Sequence, residues 1–299
     1  MKHLIYILFF LTLGFTACGR HTAYPSAMQQ AEALMNTRPD SALTLLEAMA
    51  DTLAMLPEET RMYHQLLTIQ AKDKLYITHT SDSLINRIVA FYEAYGNSDR
   101  LMMAYFYQGS TYRDMNDAPR ALKAFQQAVD LNVPNLDLLA KTYNQMGTLF
   151  MYQGLHDEVI RVNRKSMETY LALGKRNKIS YAQRDIARMY DVKNMSDSAL
   201  YYYKEACRTA LLDGDSVRYY EILGELGVLY YNVGETKCAE DMLTSSVLNL
   251  KNRYITHVLL YLGHIYKDKG QVDSAKIFYR KVLHFIMQNV IIKLNSEFA

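Results

Sequence analysis

From residue 101 onward, small, aliphatic and aromatic positions return in a fixed order along the chain. The first instance is Tyr105, Gly109 and Tyr112, then Ala121, Phe125 and Ala128. The next is Tyr143, Met146-Gly147 and Phe150, then Val159, Asn163 and Ser166. Two more follow, at Gln183, Ile186-Ala187, Tyr190, Ala199, Tyr203, Ala206 and at Leu223, Leu226-Gly227, Tyr230, Ala239, Leu243, Ser246. The fifth is Leu259, Leu262-Gly263 and Tyr266, then Ala275, Tyr279 and Val282. Within each half the apolar residues recur at three- and four-residue spacing, which predicts an amphipathic helix, so every period is a helical hairpin. The break between its helices falls at Asn116, Gly154, Asn194, Gly234 and Gly270. Gly and Asn are the residues that accept a left-handed backbone at a helix end. Asp40-Ser41-Ala42, Asp197-Ser198-Ala199 and Asp273-Ser274-Ala275 then read as capped starts of second helices.

These offsets resemble the tetratricopeptide repeat. The resemblance implies an all-α, right-handed superhelical solenoid in which small residues let two helices approach and aromatics fill the space between them. Upstream the pattern is degenerate: Ala42 marks one second helix and Asp82-Ser83-Leu84 another, after a poorly matching first helix around Glu58 to Tyr76. The second-helix anchors lie 36 to 42 residues apart, so about seven antiparallel helix pairs account for the chain after Cys18. The expected organisation is a signal segment over 1–17, a tether over 18–27, degenerate hairpins over 28–100, five repeats over 101–294 and a tail over 295–299.

The signal reading rests on Met1-Lys2-His3, the apolar run Leu4 to Phe15, and Thr16-Ala17-Cys18. That run is shorter than the roughly 20 residues of a permanent membrane helix and fits the core of a secretory signal. Small residues before a cysteine resemble the bacterial lipobox, with Phe15 departing from the usual Leu; an ordinary signal peptide containing a cysteine is the alternative. The resemblance implies lipidation at Cys18 and a Gram-negative envelope address, on the periplasmic or outer-membrane face.

Composition removes several function classes. The 33 basic residues against 31 acidic give a net charge of +2, which offers no electrostatic footprint for nucleic acid. Three cysteines do not make a disulfide framework, and Cys207 and Cys238 read as two buried free thiols. No phosphate-cradling loop is present, since Gly174-Lys175 and Gly234-Glu235 lack the glycine spacing for one. His257 and His264 stand two turns apart, about 10 Å of rise, too far for one metal ion. No Ser/His/Asp set or carboxylate pair rises above background, so the expectation is no catalysis, no metal and no cofactor. The 25 tyrosines are expected mostly in repeat packing positions, with Tyr201-Tyr202 and Tyr219-Tyr220 at the surface.

The expected activity is therefore binding. By resemblance, first helices line a concave groove that takes extended peptides or partner helices. Carried over position by position, the groove residues are Arg113, Asn144, Thr148, Arg184, Arg188, Tyr231, Asn232, His264 and Lys267. Arg184 and Arg188 lie one turn apart, and with His264 and Lys267 they would make a modestly basic groove for a carboxylate, an acidic peptide or an anionic glycan. The opposing reading is a solvated face whose charges are paired with Asp185, Asp191, Glu221, Glu225 or Asp268. The family's best-known peptide-terminus clamp, Lys, Asn, Asn, Lys, Arg, is not reproduced in order. A protein-interaction scaffold anchored in a membrane by lipid, with a protein partner, is the main expectation. A shortened relative of sensors with a membrane helix and cytoplasmic signalling part is a second. A nutrient- or glycan-binding lipoprotein is a third, weakened by the lack of Trp.

Overall fold

The computed structural model describes residues 24–250 and 255–297, so Cys18 and the expected signal segment lie outside the described residues. Among the described residues there are fifteen α-helices and no strand. They are α1 (Ser26–Leu34), α2 (Pro39–Glu47), the short α3 (Ala50–Leu53), α4 (Glu58–Lys74) and α5 (Ser83–Tyr95). Then come α6 (Ser98–Asp114), α7 (Ala118–Asp130), α8 (Leu136–Tyr152), α9 (His156–Ala172) and α10 (Ile179–Val192). The last five are α11 (Ser196–Leu212), α12 (Ser216–Asn232), α13 (Thr236–Asn249), α14 (Thr256–Asp268) and α15 (Val272–Glu297). Leaving out α3, these pair as seven hairpins in chain order, and the larger contacts run only between near neighbours in the stack. That is a helical solenoid of the tetratricopeptide type. No helix among the described residues is long and apolar enough to cross a membrane.

Two close approaches show why the small residues recur. A β-carbon on Gly109 of α6 would stand 2.5 Å from Cε1 of Phe125 on α7, and one on Gly263 of α14 would stand 2.4 Å from Cε1 of Tyr279 on α15. Both distances are far inside van der Waals contact, so the rings occupy the volume that any other side chain would need. The aromatic sixteen residues downstream of the glycine is therefore the knob, and the glycine is its seat.

The five predicted turns all have positive φ: 59° at Asn116, 70° at Gly154, 57° at Asn194, 90° at Gly234 and 74° at Gly270. After each, an amide returns to the carbonyl of the aromatic three residues after the small position of the first helix. Asp117 N–H donates to Tyr112 O at 2.8 Å, and Leu155, Met195, Glu235 and Gln271 donate to Phe150, Tyr190, Tyr230 and Tyr266 at 2.8 to 3.0 Å. Free carbonyls at the end of each first helix are satisfied locally in this way. Positive φ recurs at the junctions between hairpins, at Gly96, Asn132, Gly174 and Gly214, and after the last two Lys175 and Asp215 return their amides to Tyr170 and Ala210.

Three expectations need correction. Asp40, Asp197 and Asp273 do not cap their helices; they sit inside the first turn, where their charge faces the helix N-terminus. Side-chain caps come instead from Asn97, Asp117, Asn135 and Asp215, each accepting from the amide three residues on. Tyr202, Tyr219 and Tyr220 pack half-buried against the core, leaving Tyr201 exposed. Cys207 is buried, but Cys238 is exposed, because it precedes the inward-facing Ala239 and so points about 100° away from it.

Candidate functional site

First helices α10, α12 and α14 of the last three hairpins enclose an open cleft of about 850 Å³. Its polar wall carries Tyr181, Arg184 and Arg188 from α10 with Arg218, Glu221 and Glu225 from α12. The facing wall is mainly apolar, with Leu250 after α13, Val258 and Leu260 on α14, and Val282 and Ile286 on α15, beside Thr256 and His257 at the start of α14. Leu260 and Ile286 remain 36% and 47% exposed, so the cleft offers apolar surface that the fold itself does not bury.

Every arginine of the polar wall is engaged. Arg188 holds Glu225 with two bonds, Nη2 to Oε1 at 2.5 Å and Nε to Oε2 at 2.7 Å. The hydroxyl of Tyr203 donates to the same carboxylate at 3.2 Å. Arg184 donates to Asp185 at 2.9 Å, and Arg218 donates to Glu221 at 2.6 Å while its guanidinium lies 3.6 Å over the Tyr181 ring. A bidentate pair in a fixed fork is the strongest of these contacts. Burial works against the charge of Arg188, but the hydrogen bonds and charge of Glu225 outweigh it and raise its pKa. Burial in turn pushes the Tyr203 hydroxyl up, with Glu225 adding to it, and pushes the Cys207 thiol up to about 12. His257 lies exposed to the cleft, and the surrounding walls desolvate its ring enough to lower its pKa and favour the neutral form.

A second recess of about 640 Å³ lies at the other end of the stack, lined by Asp73 and Lys74 of α4, the segment Tyr76 to Thr78, Arg113 and Asp114 of α6, and Gln145 of α8. Arg113 ties it together, donating to Asp114 at 2.8 Å, Asp73 at 3.1 Å and Gln145 at 2.8 Å. Nδ1 of His79 meets the second oxygen of Asp114 at 2.8 Å. Burial alone would raise Asp114, but the bonds from His79 and Arg113 hold it below its ordinary value. This polar knot joins three hairpins and the α4–α5 connection.

The structure separates the expected groove residues into distinct places. Arg184 and Arg188 share the large cleft, and Arg113 sits in the distant recess. Asn144 belongs to a hairpin interior: Ser166 donates to its Oδ1 at 2.6 Å, and its own amide donates to the Tyr170 hydroxyl at 3.3 Å. Thr148 is exposed and donates to the Asn144 carbonyl. Tyr231 and His264 join Tyr261 in an aromatic cluster, with ring centroids 5.5 Å apart for Tyr231–Tyr261 and for Tyr261–His264; Tyr231 donates to Asp268 at 2.7 Å. Asn232 and Lys267 lie exposed near helix ends. A single basic groove is therefore not assembled: the arginines are paired, and His264 and Lys267 lie outside the cleft lining. Sequence reasoning missed the apolar wall, although one signal was available. Leu260 occupies the register position held by Arg184 on α10 and Gly224 on α12, so the sequence itself puts an apolar side chain where the earlier inner faces carry a charge or none.

Comparison with known proteins agrees with this architecture. Residues 257–283 match the tetratricopeptide repeat family. The BBSome complex member BBS4 homolog of Drosophila melanogaster is 24% identical over 216 residues, which are 60% of this chain and 42% of that protein. The chain thus spans less than half the length of this curated relative. Among solved structures, a signal transduction ATPase with a tetratricopeptide repeat sensor from Pyrococcus horikoshii superposes with a TM-score of 0.73 at 12% identity, over 91% of this chain and 44% of that one. NprR in complex with its cognate peptide NprX gives a TM-score of 0.58 at 15% identity, over 86% of this chain and 77% of that one. At these identities the likeness concerns the fold. Among the described residues no group of three or more His, Cys, Asp or Glu side chains is placed to hold a metal ion.

Proposed function

We propose that this protein is a non-catalytic interaction scaffold that binds a peptide or helix of a partner protein in the cleft between α10, α12 and α14. The observation that carries the reading is the cleft itself: about 850 Å³, open, preformed, and faced by one apolar and one internally neutralised wall. Such a surface suits a segment with apolar side chains on one edge and hydrogen-bonding backbone on the other. NprR, which is similar in fold and was solved in complex with its cognate peptide, supports a peptide as the occupant. The lipobox-like Thr16-Ala17-Cys18 supports a tether at Cys18, placing the scaffold at a Gram-negative envelope membrane, where being held at a surface raises local concentration.

A photoreactive residue at Leu260, inside the cleft, tests the site against the same residue at Leu248, which is 74% exposed outside it. Discrete adducts from Leu260 alone, lost when Ile286→Arg is added, are expected. Equal labelling from both positions would sink the cleft as the binding site. For the tether, metabolic labelling with an alkyne fatty acid should mark the wild type and not Cys18→Ser; label retained in Cys18→Ser removes the anchor.

A further inference from the structure

The connection between α4 and α5 holds a residue that its backbone does not suit. Among the described residues every other positive φ falls on Gly or Asn, but at position 76 a tyrosine takes it, with φ 57°. The helix end itself is of the ordinary left-handed kind: Tyr76 N–H donates to Asp73 O at 3.1 Å and Ile77 N–H to Lys72 O at 3.0 Å. Glycine or asparagine would close it with less strain. Packing does not offset that strain, because Tyr76 is 95% exposed. The residue lines the recess of about 640 Å³ between α4, α6 and α8.

Lys74, two residues earlier, lines the same recess and also a smaller one of about 310 Å³ beside it. The acids near it are turned elsewhere. Arg113 holds Asp73 and Asp114, and Asp137 is shared by Lys141 at 2.5 Å and Lys175 at 2.6 Å. Among the described residues the half-buried Lys74 ammonium makes no hydrogen bond or ion pair. Burial, with Lys141 nearby, lowers its pKa, as happens to an ammonium short of water and countercharge. The side chains of Asn36 and Thr78 and the Nε2 amide of Gln145 are likewise unengaged among the described residues of this wall.

One uncompensated ammonium matches one carboxylate; a phosphate dianion would bring a second charge towards Asp73 and Asp114. The rest of the wall selects the body that carries the carboxylate. A peptide strand needs pockets for alternate side chains, and the large apolar groups exposed here are Tyr76 and Ile77 alone among the described lining residues. A pyranose needs a flat surface for its C–H face and separate donors and acceptors for its hydroxyls. Tyr76 and the free groups of Asn36, Thr78 and Gln145 supply both.

We propose that the recess between α4, α6 and α8 binds an acidic oligosaccharide, with a hexuronate carboxylate on Lys74 and the sugar ring laid on Tyr76. The left-handed tyrosine is then a binding residue held against the preference of its own helix end. The site shares no residue with the cleft between α10, α12 and α14, so it is independent of peptide binding there.

Calorimetric titration of the full chain with digalacturonate and dimannuronate, each against its methyl ester, tests the site, since the ester keeps the body and removes the charge. At least one free acid is expected to bind about tenfold more tightly than its ester, the effect of one half-buried charged hydrogen bond. Lys74→Met should abolish that preference. Tyr76→Asn should weaken acid and ester alike by about tenfold. It should also keep or raise the melting temperature, because asparagine suits the left-handed position as it does at Asn116, so the loss is not misfolding. No binding of either acid, equal affinity for acid and ester, or binding indifferent to Tyr76→Asn overturns the proposal. Sugar binding lost in Leu260→Asp overturns it in favour of the cleft. Acetyl-Ala-Ala-Ala with a free carboxylate, binding more tightly than both acids and lost in Lys74→Met, overturns it in favour of a peptide end.

Discussion

Replacing Gly109 by alanine sets two effects of known sign against each other. Alanine in a helix interior is favoured over glycine by about 1 kcal/mol, so helix propensity alone predicts a more stable protein. Against that, the new β-carbon would lie 2.5 Å from Cε1, 2.6 Å from Cδ1 and 2.8 Å from Cζ of Phe125. Optimal carbon contacts lie near 3.5–4.0 Å, so the ring or the helix must yield by about 1 Å. Phe125 is 0% exposed and has Phe106 against it, ring centroids 5.7 Å apart, so it has no solvent side to swing into. Overpacking of this kind costs about 1–3 kcal/mol, and three sub-contact distances place it at the upper end. The net expectation is a loss of about 1–2 kcal/mol. Phe125→Leu alone should lose about 1.5 kcal/mol. The double variant should do better than the sum by at least about 1 kcal/mol, because the shortened side chain gives the β-carbon its room. Urea unfolding followed by circular dichroism reads this out, with the slope checked for each variant because a solenoid can unfold in segments. A Gly109→Ala protein more stable than wild type, with an additive double variant, would refute the claim that space between α6 and α7 sets this position.

Two further outcomes follow from a buried thiol and from a histidine at the cleft. In a Cys18→Ser background, a thiol reagent at pH 8 should modify exposed Cys238 quickly and Cys207 only on unfolding, since burial pushes the Cys207 thiol up to about 12 and removes its thiolate; two equally fast thiols would contradict the placement of α11. Desolvation by the cleft walls lowers His257, so the unfolded chain takes up its proton first as pH falls, at about 6.5. Stability should therefore decline from that pH down to the depressed folded value and level off below it, and His257→Gln should remove that part of the slope in a urea titration across pH; an unchanged slope refutes the assignment.

Much of the fold was legible because its determinants are local. Asn116 or Gly154 needs a left-handed backbone whatever surrounds it, and Gly109 and Phe125 are chosen by one helix pair. The period was read at one turn of each hairpin, although Gly174 and Gly214, forty residues apart, carry the same signal at the junctions. The site was less legible for a physical reason. Register places Arg188 and Glu225 on inner faces, but their bidentate pairing spans 37 residues and depends on how closely α10 and α12 approach. Asn144 shows the same limit: one helical position decides whether an amide points into a groove or, as here, into its own hairpin towards Ser166 and Tyr170.

The paired wall of the cleft also has a kinetic consequence. With Arg188, Arg184 and Arg218 each closed onto a carboxylate of the same surface, the cleft projects little field beyond a Debye length of about 10 Å at 0.1 M salt. An incoming segment is not drawn in from a distance, so its encounter rate belongs to the unsteered range of about 10⁵–10⁶ M⁻¹s⁻¹ and stays nearly flat as ionic strength rises. Discrimination between occupants then rests on how long each remains, which the fit to Leu260 and Ile286 sets.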